Sequence, residues 1–132
     1  MLVLDASAAL AAFLVTGTNA SSIRDRLEAP RETVHAPHLI DVEMLHALRG
    51  LVLRGSVSPT RSEEVLADFA DLRLSRYSHV AFLTRIWQLK DDLTAYDAAY
   101  VALAETLEAP LVTTDARLAR APGIRAEVEV YR

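Results

Sequence analysis

The chain has 132 residues, of which 52% are hydrophobic and 24% charged, and it contains no cysteine. This composition fits one globular domain over residues 1–132 and excludes a disordered chain, a disulfide scaffold and a thiolate metal site. The net charge of −4 excludes a protein that attracts nucleic acid as a whole.

Leu2–Leu4 is apolar without alternation and ends at Asp5, as a central parallel strand does. Ala6–Leu14 has helical spacing, Gly17, Thr18 and Asn19 break it, and Ser21–Leu27 continues as a second helix. Thr33–Ala36 is expected as a strand closed by Pro37, and Leu39–Leu53 as a helix. Ser58-Pro59 opens another helix, whose buried face is Val65, Leu66, Phe69 and Leu72. A short strand over Arg73–Arg76 precedes a helix over Val80–Leu89 that carries Trp87. Residues 58–93 are otherwise helical, and an appended hairpin or a dimer surface is expected there. Ala95–Leu107 is a helix after Thr94, and Leu111–Thr113 a strand after Pro110. Asp115–Arg120 makes one or two helical turns before Pro122-Gly123, and Ala126–Tyr131 alternates like an edge strand. Strands alternating with helices predict an α/β layer fold with a mostly parallel sheet.

Four acids interrupt runs that otherwise read as buried: Asp5, Glu43, Asp97 and Asp115. Asp5 and Asp115 each follow a strand and open a helix, so each has an ordinary reading as an N-cap. Asp97 follows Thr94 at capping-box spacing. Glu43 lies inside its helix, where capping does not explain it. Ala47 and Gly50 share its stripe and leave room for a neighbouring element, while Asp41 points elsewhere and is expected in solvent. Ligands of parallel α/β sheets bind beyond the carboxyl ends of the strands, where all four acids converge. Clustered carboxylates must bind protons or a cation, and an all-oxygen set favours Mg²⁺ or Mn²⁺. Ser7 has no nucleophile elbow and is read as a hydrogen-bond partner of an acid or of a metal-bound water. Thr113 and Thr114 are read as partners of Asp115 or as caps. His35, His38, His46 and His79 lack a zinc motif.

Lys90 is the only lysine, and the remaining strong cations are arginines. A GC-rich coding bias explains this, although arginine also suits phosphate recognition. Arg117, two residues beyond Asp115, is a candidate for phosphate contact by position alone.

VLDAS, HLIDVEMLHALR, TAYDAAYVALA and LVTTDARLA together resemble the PIN-domain ribonucleases, and most closely the VapC toxins of bacterial toxin–antitoxin pairs. The likeness covers nearly the whole chain in motif order. One departure is His46, where many members carry asparagine. The resemblance implies a three-layer α/β/α sandwich, a homodimer and a Mg²⁺- or Mn²⁺-dependent endoribonuclease that inhibits translation or growth. By motif, Asp5, Glu43, Asp97 and Asp115 become the catalytic quartet, with Asp5, Asp97 and Asp115 on the metal and Ser7 and Thr113 in support. It also implies a VapB-type antitoxin whose C-terminal segment places an arginine in the acidic pocket.

Two other readings are weaker. A phosphoacceptor receiver needs a lysine beside its acids, and no strand follows Lys90 to place it there. A catalytically inert PIN-like module that binds RNA or protein would not need all four acids. No apolar stretch is long enough to span a bilayer, and MLVLDAS lacks the features of a signal peptide, so a cytoplasmic location is expected.

Overall fold

The computed structural model describes residues 1–15 and 17–132. Five parallel strands form one sheet in the order β3-β2-β1-β4-β5. They are β1 (Leu2–Leu4), β2 (Val34–Pro37), β3 (Leu74–Tyr77), β4 (Leu111–Thr113) and β5 (Val128–Val130). The α-helices among the described residues are α1 (Ala6–Leu14), α2 (Thr18–Leu27), α3 (Leu39–Leu53), α4 (Pro59–Asp71), α5 (Leu83–Gln88), α6 (Ala95–Leu107) and α7 (Ala116–Ala119). None of these is by itself long and apolar enough to cross a membrane.

The chain builds outward from β1 through β2 to β3, then returns across β1 to β4 and β5. β1 and β4 therefore flank the topological switch point, where open α/β sheets leave a crevice. On one side of the sheet α1 packs against α2, α3 and α4. On the other, α6 lies on β1, β2 and β4, with α5 against its outer side. This is the expected three-layer sandwich. Its centre is dry: Leu2, Val3, Leu4, Leu111 and Val112 have no exposed surface, and α6 is buried from Ala98 to Ala104.

Most boundaries fall where the sequence places them, and the departures have local causes. α2 begins at Thr18 rather than Ser21, because Gly17 takes a left-handed φ of 125° and resets the chain three residues early. β2 and β3 each sit one residue later than expected, since their register pairs Pro37 with Tyr77. Residues 80–89 divide into a 3₁₀ turn, Val80–Phe82, and the short α5. Leu72 lies past the end of α4, whose buried side chains are Val65 and Phe69. The appended hairpin expected over residues 58–93 is absent: β3 completes the sheet edge and α4 packs on α1. Asp41 faces solvent as expected, with 39% of its side chain exposed, and Arg76 grips both of its oxygens there at 2.7 and 2.8 Å.

Candidate active site at the carboxyl edge of the sheet

The register of the two central strands sets the first contact. Leu4 lies beside Val112, so the next residue on each strand, Asp5 and Thr113, fall side by side. The Thr113 hydroxyl donates to Asp5 Oδ2 in a very short hydrogen bond. Asp5 Oδ1 accepts from Ser7 Oγ at 2.7 Å and from the Ala8 backbone N–H at 2.9 Å. Asp5 is thus the N-cap of α1 and a locked, buried carboxylate at once. Burial pushes its carboxyl above the usual range, against those three hydrogen bonds, and the charge of Asp97 adds to the rise. Ser7 Oγ also accepts from the Thr114 N–H at 3.2 Å, so Ser7 ties α1 to the end of β4.

Asp97 stands in the first turn of α6. The Thr94 hydroxyl caps that helix by accepting from the Asp97 N–H at 3.1 Å. The reciprocal half of a capping box is missing: among the described residues no backbone N–H donates to the Asp97 carboxylate. Its carboxyl is raised by burial first and then by Asp115.

Glu43 projects from the middle of α3 and is half-buried. The hydroxyl of Tyr100, itself almost wholly buried, donates to Glu43 Oε1 at 2.7 Å. Burial raises the Glu43 carboxyl, the Tyr100 bond opposes this, and the charges of Asp97 and Asp5 push it further up. Sequence reasoning missed Tyr100. Its signal lay in TAYDAAY, where Tyr100 follows Asp97 by one helical turn on the same side of α6.

Asp115 caps α7 and accepts from the Arg117 N–H at 2.9 Å. The Arg117 guanidinium folds back on the same carboxylate, with Nη2 2.8 Å from Oδ2 and Nε 3.1 Å from Oδ1. That contact holds Asp115 below the usual carboxylate range. The candidate RNA-binding arginine is therefore paired with a site acid.

The structure brings together the acids that the sequence singled out, and each raised pKa includes the charge of another of the four. Among the described residues, however, no three acidic or histidine side chains close around one point as a ready-made ligand shell. Asp5 is held by Ser7, Thr113 and Ala8, Glu43 by Tyr100, and Asp115 by Arg117. The donor set suits a hard cation that keeps most of its waters. Mutual repulsion and burial supply the reason to bind one. His46 is exposed at the rim near Glu43, on the same stretch of α3.

The model of the PIN domain matches residues 2–124. Ribonuclease VapC12 of Mycobacterium tuberculosis is 44% identical over 130 residues, which cover 98% of each chain. Two crystal structures share the fold. VapBC2 of Rickettsia felis, bound to a DNA fragment from its promoter, aligns with a TM-score of 0.72 at 16% identity and covers 99% of this chain and 98% of that one. VapC20 of Mycobacterium tuberculosis, a sarcin-ricin loop cleaving toxin, aligns at 0.65 and 16% identity over 94% and 96%.

Proposed function

Because this chain belongs to the PIN domain family, we propose that it is the endoribonuclease toxin of a VapBC-type toxin–antitoxin pair. The observation that carries this reading is the gathering of Asp5, Glu43, Asp97 and Asp115 at the switch point between β1 and β4. Full-length similarity to a named VapC ribonuclease supports it. The substrate class is RNA, and the reaction is hydrolysis of a phosphodiester. The partners are a VapB-type antitoxin and a second copy of the chain.

The chemistry is assigned to Mg²⁺ or Mn²⁺. A bound divalent ion lowers the pKa of water and balances charge on the phosphate. Asp5, Asp97 and Asp115 would hold it, directly or through water. Ser7, Thr113 and the Ala8 N–H fix the Asp5 carboxylate before anything binds, so no reorganisation is needed there. Tyr100 fixes Glu43 through Oε1, and Glu43 Oε2 accepts no hydrogen bond among the described residues. That oxygen is placed to orient the attacking water and take its proton, and the raised Glu43 carboxyl suits such a base.

The test is cleavage of a broad RNA panel by purified protein with Mg²⁺ or Mn²⁺, with Asp97→Asn as the control. Loss of cleavage by a folded Asp97→Asn supports the enzyme. RNA binding without cleavage by the parent protein supports an inert binding module instead.

A further inference from the structure

A cleft of about 620 Å³ adjoins the acids and shares Glu43 and Ser7 with them. It runs between α1 and α3, with Ala6 and Leu10 on one wall and Val42 and Ala47 on the other. Tyr96, the residue before Asp97, lines it and is 64% exposed. Its size falls within the range of about 300–1,000 Å³ typical of small-ligand sites. Ala47, read from the sequence as part of a slim stripe beside Glu43, contributes its small side chain to this opening.

We infer that this cleft takes an unpaired nucleobase of the RNA substrate, next to the phosphate held at the acids, with Tyr96 as its stacking surface. The inference rests on the ribonuclease reading above. Three observations carry it. The cleft is continuous with the acids, because Glu43 and Ser7, the partner of Asp5, line it. Its lining contains no lysine or arginine; its titratable groups besides Tyr96 are the Glu43 carboxylate and His46 at the rim, so it suits an uncharged ring better than backbone phosphate. An exposed tyrosine beside apolar walls is also the chemistry by which proteins bind single-stranded RNA, through base stacking rather than backbone charge. Tyr96 directly precedes Asp97 on the first turn of α6, which sets its backbone beside that of the acid.

The first arm of the test needs no catalysis. Nucleosides and ribose 5-phosphate are titrated into methyl-labelled protein, and the resonances of Leu10, Val42 and Ala47 are followed. Nucleosides are expected to shift them and ribose 5-phosphate is not. Equal shifts from ribose 5-phosphate overturn the base site, and so does a response only to a peptide from the antitoxin C-terminus. The second arm compares Tyr96→Ala with Tyr96→Phe in RNA cleavage. Alanine is expected to raise KM about tenfold, as loss of a base stack does, with the loss falling on KM rather than kcat, while phenylalanine stays close to the parent. An alanine variant with the parent KM and the parent sequence preference overturns the assignment. A parent protein that cleaves no RNA defeats the ribonuclease reading, and the nucleoside titration then decides the cleft by itself.

Discussion

Tyr100 on α6 donates its hydroxyl to Glu43 Oε1 on α3 at 2.7 Å, joining two helices across the acidic edge of the sheet. The pair accounts for a buried phenol and a half-buried carboxylate together, each satisfying the other's polar atom.

Tyr100→Phe removes that donor and leaves the ring. The Glu43 carboxyl, already raised by burial, then rises further, because the hydrogen bond that opposes the rise is gone. The acidic limb of the pH–rate profile is expected to move to higher pH, with kcat falling roughly tenfold as the base loses its orientation. Stability should fall by about 1.5–3 kcal/mol in urea unfolding, as for a hydrogen bond to a charged group. An unmoved acidic limb would argue that Glu43 is not the base.

Stability should couple to metal and pH together. Asp5, Glu43 and Asp97 are all shifted upward, chiefly by burial. A carboxyl raised on folding contributes stability below its unfolded pKa of about 4, and this is lost as pH rises through the folded value. Asp115, held low by Arg117, slopes the opposite way within the site, and three groups outside it do so too. Burial lowers His35, while Glu32 and Glu105, against the effect of burial, are lowered by their hydrogen-bonded cations. Their contributions are present at neutral pH and lost as pH falls. The difference in melting temperature between Mn²⁺ and chelator cancels the three groups outside the site. It is expected to be near zero at about pH 4.5 and to reach about 5 °C near pH 7.5, as the acids ionise. A difference that stays flat with pH counts against a cation shared by these acids.

Arg117→Ala should free the Asp115 carboxylate. Arg117 lies outermost at the site, with 82% of its side chain exposed, so the fold should be unaffected. Calorimetric titration with Mn²⁺ is expected to show several-fold tighter binding, since the ion no longer competes with a guanidinium. Unchanged or weaker binding would place Asp115 outside the cation's reach.

Far from the acids, Arg85 holds Glu105 through Nε at 2.7 Å and Nη2 at 2.9 Å, and also donates to the Gly123 carbonyl at 2.8 Å. The Glu105 side chain is only 8% exposed. Arg85→Ala leaves that carboxylate with the Arg125 N–H and the looser Arg125 guanidinium, 3.7 Å away, as its partners. The cost is expected to be on the order of 2 kcal/mol in chemical denaturation, with cleavage per folded molecule unchanged.

Much of this was legible in the chain because single residues mark it. The uninterrupted apolar run Leu2–Leu4, the proline at the start of α4 and the Thr94 cap each fix an element by local physics. Asp5 and Asp115 did turn out to be helix caps, and the same caps hold their carboxylates at the carboxyl edge of the sheet, so the ordinary reading does not compete with the functional one. Glu43 had no capping explanation, and the structure gives it a buried partner instead. Side-chain choices made across the fold were not legible. The turn of Arg117 onto Asp115 is a matter of rotamer, and the pairing of Tyr100 with Glu43 depends on the packing of α6 against the sheet beside α3. The break of residues 80–89 into two short pieces follows from the route between β3 and α6, which periodicity does not encode.

The register that sets Asp5 beside Thr113 also imposes an order in time. β1 and β2 leave the ribosome early, and synthesis runs from the N-terminus. The central slot next to β1 stays empty until β4, near the end of the chain, arrives to fill it. Before then Asp5 lacks its Thr113 donor, and Asp115 has not been made. The four acids therefore come together only after β4 and the residues that follow it have been made.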